Sequence, residues 1–334
     1  MDNLKFSVCV PTYNRAGSIG GTIKSVLNQT YNNFELIISD NDSRDNTGDV
    51  VKGFKDTRIK YFKNEKNLGF ARNLALCKER SSGDILYFVS AKNIIDRNSL
   101  LRINEAFQLE NDIGAVVIPY YWHGENAALP VRAKKIYDTA KNSVMTIRSP
   151  KEAVMFAFSV VDNPSAVAYK TDFMDLPFNG DPFVEFTYPF AGIFKRRKIV
   201  FMKDYLMTCP AFVPSGSQKK SVYKKSPMRC WIDLFDNVFP EAEFADIRRA
   251  CIKDLVAVNY IGLVQVKNYG GLKALLREIF YLVKYRWQNV FSFRFWFFTL
   301  GTMLVPGAIL RRMAAGFKSG INSRLLKDIK PIDE

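Results

Sequence analysis

The chain has 334 residues, 48% hydrophobic and 24% charged, with a formal net charge of +15, so it is long and apolar enough for one large domain with an appendage or for two domains. A lone histidine, His123, argues against a histidine-based metal centre and a Ser-His-Asp triad, each of which needs an imidazole at a set place, and His123 reads as a loop residue. Five scattered cysteines without a CxxC spacing, and no signal-peptide pattern before the first apolar run, suit a reducing, cytosolic setting.

In chain order, "FSVCV", "FELIIS", "RIKYF", "ILYFVS" and "IGAVVI" are short runs rich in β-branched and aromatic residues and predict strands. Between them "SIGGTIKSVLNQT", "NTGDVVKGF", "GFARNLALCKE" and "DRNSLLRINEAFQ" carry helical spacing. The alternation predicts an α/β fold, a mostly parallel sheet with helices on both faces. In such sheets ligands bind beyond the carboxyl ends of the strands, here after Val10, Ser39 and Val89. From about 119 to 215 the pattern loosens to an α+β mixture with a helix near "SPKEAVMFAFS", a strand near "SAVAYK" and a helix leading into "KIVFM". "FVPSGSQKKSVYKKSP" predicts a mobile, lysine-rich loop, and the chain beyond it reads as helical.

Three strand ends hold the candidate chemistry. "VCVPTYNR" places Pro11, Thr12, Tyr13, Asn14 and Arg15 at the first, where a ring can stack on a nucleobase or the residues can form a plain turn. "ELIISDNDSRDNT" stops a strand at Asp40, which could accept a hydrogen bond from a base N–H; Asp42 and Asp45 read as turn and cap residues. "GDILYFVSAKNIIDRNSL" ends the third in Ser90, Ala91, Lys92 and Asn93.

In this order, PTYNR, the strand-end Asp with "NDSRDNT", "NLGFARN" and the polar tetrad resemble the nucleotide-binding motifs of family 2 glycosyltransferases, over about residues 4 to 205. The resemblance implies a GT-A fold that binds a nucleotide-diphosphate sugar. It implies base contacts from Thr12, Tyr13 and Asp40, a turn fixed by Asn67, close backbone approach at Gly69, and Arg72 facing ribose or phosphates. Where the family has Asp-Asp-Gly-Ser, this chain has Asp40, Asn41, Asp42 and Ser43. Where it has a carboxylate for Mg²⁺ or Mn²⁺, this chain has Ser90, Ala91, Lys92 and Asn93. An ammonium repels a divalent cation, so Lys92, with Lys219, Lys220, Lys224 and Lys225 of the loop, could stand in for the metal; alternatively Asn93 holds a weak ion. The family's catalytic base maps to Glu185 in "VEFT", with Asp181 in "NGDPF" as the competitor. Asp162 in "VVDNPS" reads as a turn residue.

Of 48 Lys/Arg and 33 Asp/Glu, 23 and 22 lie in residues 1–194, which leaves 25 and 11 beyond. In that basic part, residues 295 to 310 are uncharged, rich in Phe, Leu and Trp, flanked by arginines and interrupted by Pro306-Gly307. The stretch falls short of the ~20 residues of a span and predicts an interfacial membrane segment, with a packed helix or a true span as alternatives. A nucleic-acid partner is not indicated. The combined expectation is a GT-A domain over 1–215, with a nucleotide-binding half to about 118 and an acceptor half from 119, followed by a basic helical region over 216–334 with a membrane-interface segment about 286–318. The resemblance implies an inverting transferase, in the manner of O-antigen enzymes such as abequosyltransferases. It would move a sugar to a polyprenyl-diphosphate-linked oligosaccharide at the cytoplasmic face of the inner membrane. A catalytically silent nucleotide-sugar-binding scaffold is the alternative.

Overall fold

The computed structural model describes residues 3–211 and 220–310 except 259 and 261, together with 312, 326, 329 and 332. The apolar runs become strands β1 (Phe6–Thr12), β2 (Phe34–Asp40), β3 (Ile59–Lys63) and β4 (Ile85–Phe88), followed by β5 (Ile94–Ile95), β6 (Ile113–Val117), β7 (Tyr120–His123), β8 (Pro130–Ala133), β9 (Ser143–Met145), β10 (Val167–Lys170), β11 (Lys198–Phe201) and β12 (Met207–Pro210). Every residue of β1, β2, β4 and β6 is buried, which is why these runs show no polar alternation: helices cover both sheet faces.

Eight strands form one sheet in the order β3-β2-β1-β4-β10-β6-β11-β9. β1, β2, β3 and β4 are mutually parallel, as are β6 and β11, while β10 runs antiparallel to both β4 and β6 and joins the two halves. The small sheet β5-β12-β7-β8 lies outside the sequence expectation, because its strands have two to four residues each and too little pattern to read. His123 ends β7 and is buried, with Nδ1 2.9 Å from the Gly124 carbonyl, rather than sitting in a loop. All five cysteines are buried and free.

The helices are α1 (Ile19–Leu27), α2 (Thr47–Lys52), α3 (Phe70–Arg80), α4 (Ser99–Phe107), α5 (Lys151–Val160), α6 (Thr187–Arg196), α7 (Pro227–Val238), α8 (Ala245–Val258), α9 (Gly262–Gln265), α10 (Gly271–Tyr285) and α11 (Phe293–Leu304). The basic C-terminal part is no loose appendage. Leu234 and Phe235 of α7 and Cys251 of α8 share one core with Phe158 of α5, Phe194 of α6 and Leu86 of β4, and the Phe158 and Phe235 rings meet edge to face at 4.9 Å.

α10 and α11 pack by one face only. Leu275 and Leu282 are buried, yet Leu272, Leu276 and Phe280 are exposed; Phe295 is 1% exposed, yet Phe293 is 81% and Phe297 62% exposed. The packed-helix alternative therefore accounts for half of each helix. Among the described residues no helix is long and apolar enough to cross a membrane, and residues 311 and 313–318 of the expected interface segment lie outside those residues.

At the other end of the sheet, Glu35 is buried in β2. Burial pushes its carboxyl up, but bonds from Lys60, from the Ser7 hydroxyl and from Ser82 outweigh that and hold it at about 2. A carboxyl depressed in the folded state adds stability above its unfolded value near 4.5 and loses it as pH falls toward 2. Denaturant unfolding at pH 7 and pH 2.5 is expected to show Glu35→Gln destabilised by ~1–3 kcal/mol at pH 7, with the gap closing at low pH.

Candidate active site

The ends of β1 and β4, the turn before α3, the segment before α6 and helices α7, α9 and α10 enclose a cleft of about 1200 Å³. Of the residues singled out in the sequence, it brings together Pro11, Thr12, Tyr13, Asn67, Ser90, Lys92 and Glu185, with Gly69 beside them. Thr12 Oγ1 is buried there without a hydrogen-bond partner among the described residues, and Tyr13 is 37% exposed.

The loops around this strand-end floor are stitched side chain to backbone. Asn14 donates its N–H to Ser43 Oγ at 2.9 Å and accepts the Arg44 N–H at 2.8 Å; the Arg15 N–H donates to Thr47 Oγ1 at 2.8 Å. Where the family's glycine is missing, Asp42 takes φ +67° itself, a left-handed conformation that Asp tolerates better than most residues. Asn41 explains the other departure. Its Nδ2 donates to Asn67 Oδ1 (3.0 Å) and to the Gly69 carbonyl (3.1 Å), and its Oδ1 accepts from Asn64 and from the Leu68 N–H. An aspartate could not donate those two bonds. They fix the turn that carries Gly69 at φ +83°, where a side chain would be strained.

Four expected site residues sit elsewhere. Asp40 is fully buried behind the cleft wall, its Oδ1 accepting the Ser43 N–H at 2.8 Å and its Oδ2 the Tyr61 hydroxyl at 2.7 Å, so in this structure it holds the turn and not the cleft surface. Arg72 lies along exposed α3, paired with Glu79. Asn93 is fully buried and donates to Ser165 Oγ at 3.1 Å. Asp181 is paired with Lys225, which accounts for both at once. Of the other loop lysines, Lys224 is exposed, while Lys219 and the Lys220 side chain lie outside the described residues. Asp162 does line the cleft, accepting the Tyr120 hydroxyl at 2.8 Å and pairing with Lys134 at 2.7 Å.

Of the tetrad's side-chain oxygens only Asn93 Oδ1 is buried without a hydrogen-bond partner among the described residues, and no carboxylate of the tetrad accompanies it as a donor for a divalent cation. The carbonyls of Ala91 and Asn93 accept from the Ser18 and Thr22 hydroxyls of the α1 region, and Ser90 is engaged with Ser165. The side chain left facing the cleft is the Lys92 ammonium, and Arg15 lies near enough to repel it. Burial foremost, then Arg15, lowers the Lys92 pKa, and no carboxylate pairs with Lys92 among the described residues. Hard cations need several anionic or carbonyl oxygens, and no cluster of three His, Cys, Asp or Glu able to hold one occurs among the described residues.

Across the cleft, Glu185 stands two residues before α6 among Pro182, Phe183 and Phe186. Burial pushes its carboxyl up to about 7. The helical wall was not legible as part of a site: Tyr223, Met228, Trp231, Leu263, Gln265, Val266, Glu278 and Leu282 all line the cleft.

The fold is of the GT-A type. Residues 7–160 match the profile described as Glycosyl transferase family 2. It is 40% identical over 115 residues to the UDP-Glc:alpha-D-GlcNAc-diphosphoundecaprenol beta-1,3-glucosyltransferase WfgD of Escherichia coli, a match covering 34% of this chain and 44% of that protein; the chain spans less than half the length of the first curated relatives it matches. Among solved structures it is similar in fold to S. aureus TarS 1–349 in complex with UDP-GlcNAc (TM-score 0.62, 15% identity, 99% of both chains). It is also similar to the mannosyltransferase PcManGT of Pyrobaculum calidifontis in complex with GDP-Man and Mn²⁺ (TM-score 0.54, 16% identity, 90% of this chain and 86% of that one).

The Glu185 carboxyl has a direct thermodynamic signature. Between about 4.5 and 7 the folded protein keeps a proton that the unfolded chain releases, so stability falls as pH rises through that window. Denaturant unfolding at pH 5 and pH 8 is expected to show the wild type losing stability relative to Glu185→Gln by ~1–2 kcal/mol at the higher pH.

Proposed function

We propose that the chain is an inverting glycosyltransferase that moves a hexose from a uridine-diphosphate donor to a sugar on a polyprenyl-diphosphate lipid during surface-polysaccharide assembly. The observation that supports this reading is one cleft lined by both Lys92 with Arg15 and by Glu185. WfgD, by its description, transfers glucose from UDP-Glc to a diphosphoundecaprenol-linked GlcNAc, which puts a glucosyl donor ahead of a deoxy sugar.

In the mechanism, an acceptor hydroxyl oxygen attacks the anomeric carbon from the face opposite the diphosphate. Its proton passes to the Glu185 carboxylate, and the electron pair of the breaking glycosidic bond goes to the β-phosphate oxygen. Lys92 and Arg15 neutralise the charge that collects there, the task that a divalent cation performs in many GT-A transferases. A base with a pKa near 7 is well matched to proton removal at neutral pH. The base ring stacks at Tyr13 beside Thr12, and Asp40 reaches it only if Tyr61 yields its bond.

Thermal shifts with UDP, GDP, CDP and dTDP, each with and without Mn²⁺, test the cation reading. The expected result is a UDP shift insensitive to chelator and reduced at least ten-fold in affinity by Lys92→Ala. Full dependence on Mn²⁺ would sink it. Glu185→Gln is expected to bind UDP normally while kcat drops about 10²–10⁴-fold, and the wild-type kcat should rise with pH through about 7. Nucleotide binding without turnover on any donor returns the silent-scaffold reading.

We further propose a peripheral position at the cytoplasmic face of a membrane. The exposed Phe280, Phe293, Phe297 and Leu304 support it, together with the excess of Lys/Arg in the same region. Sedimentation with phosphatidylglycerol vesicles is expected, weakened at least ten-fold in Phe293→Ser/Phe297→Ser and absent with zwitterionic vesicles at high salt.

A further inference from the structure

The strand-end wall of the cleft accounts for a nucleotide, and Glu185 for a proton, but the helical wall holds polar groups that neither uses. Glu278 of α10 is 3% exposed and lines the cleft, in a wall that includes the apolar Met228, Leu263, Val266 and Leu282. Burying a carboxyl in such a wall is costly unless it is fully engaged, and this one is not. Its Oε2 accepts the Met228 N–H at 3.1 Å, which caps α7, and the Ser226 hydroxyl reaches the same carboxyl. Oε1 forms an ion pair with Arg277 Nε at 3.5 Å and is otherwise buried without a hydrogen bond among the described residues. Helix capping thus explains one oxygen and leaves the other.

Two neighbours make the place a cluster. The Tyr223 hydroxyl and the Gln265 side chain share a hydrogen bond, and the charge of Glu278 is felt at Tyr223. The wall is also held rigid. Arg277 donates to the carbonyls of Lys224 (2.8 Å), Tyr223 (2.9 Å) and Lys225 (2.9 Å), and Gly270 leaves room for Tyr223, where a Cβ would come within 2.8 Å of its ring carrier.

The charges sort what this wall can take. Two carboxyls, Glu185 and Glu278, line this cleft, and the Glu278 oxygen that lacks a hydrogen bond can accept one from an uncharged molecule rich in O–H donors. The Trp231 indole on α7 supplies the flat apolar surface on which the C–H face of a sugar ring rests. We propose that Glu278, Gln265 and Tyr223, with Trp231 beside them, form a subsite for the hydroxyl groups of an uncharged sugar residue of the acceptor; this rests on the glycosyltransferase reading above.

The test is calorimetry on the full chain with UDP present, using N-acetylglucosaminyl diphosphate on a short alkyl chain and the corresponding oligosaccharide without lipid, followed by acceptor kinetics. Glu278→Gln is expected to weaken acceptor binding and raise acceptor KM about ten- to a hundred-fold, while UDP affinity and the pH midpoint near 7 stay put. Acceptors lacking one hydroxyl at a time should include one that binds the wild type as weakly as the variant and shows no further loss in Glu278→Gln. Trp231→Leu serves if Glu278→Gln does not fold, with the same split between acceptor and UDP. Unchanged acceptor KM in a folded variant, equal loss of UDP binding, or no acceptor binding by the wild type overturns the subsite. Acceptor binding that depends on Glu278 without any sugar transfer leaves the subsite standing and sinks the transferase reading instead.

Discussion

An ammonium and a carboxyl, each carrying a burial penalty and each kept from the other, govern the architecture of this cleft. Burial lowers the pKa of Lys92 and raises that of Glu185, so each would be relieved by meeting the other. The two belong to different elements: Lys92 sits in the tight turn after β4, where its N–H and that of Asn93 both bond the Ser90 carbonyl, and Glu185 belongs to the segment entering α6. The antiparallel β10 ties the two halves together, and just before it Ser165 accepts bonds from the Ser90 N–H and the Asn93 side chain while donating to Ser90 Oγ. One hydroxyl thereby locks the strand-end turn to the joining strand.

Departures from the family's motifs make sense as local repairs. Asn41 in the place of an acidic residue donates the two hydrogen bonds that shape the Asn67–Gly69 turn, and Asp42 in the place of glycine adopts the left-handed conformation unaided. The loss of a metal-binding carboxylate at the tetrad coincides with engagement of its carbonyls by Ser18 and Thr22, so the whole turn, and not one side chain, differs from a cation site.

Apart from the two-residue β5, the strands and helices of the first 118 residues were legible because the apolar runs are bounded by turn residues, and Thr12, Tyr13, Asn67, Lys92 and Glu185 line one cleft. What a motif cannot give is the direction of a side chain. Arg72 follows the axis of α3 to Glu79, and Asp40 turns inward to Ser43 and Tyr61, although both occupy the register that the resemblance assigns to the nucleotide. The helical wall was invisible for another reason: Trp231, Gln265 and Glu278 come from three helices more than 200 residues beyond the first motif, and no local pattern marks them. The lysine-rich stretch read as a loop contains a short 3₁₀ turn at Lys220–Lys224, fastened through backbone carbonyls that composition does not reveal.

α10 carries its inward groups, Leu275, Glu278 and Leu282, and its outward ones, Leu272, Leu276 and Phe280, on opposing sides of a single cylinder. The partition between the cleft and the surface that bears these exposed apolar side chains is therefore one helix thick, about 10 Å. A molecule with a sugar head and a long hydrocarbon tail can straddle that partition, keeping each end in the medium it prefers, without any tunnel through the protein.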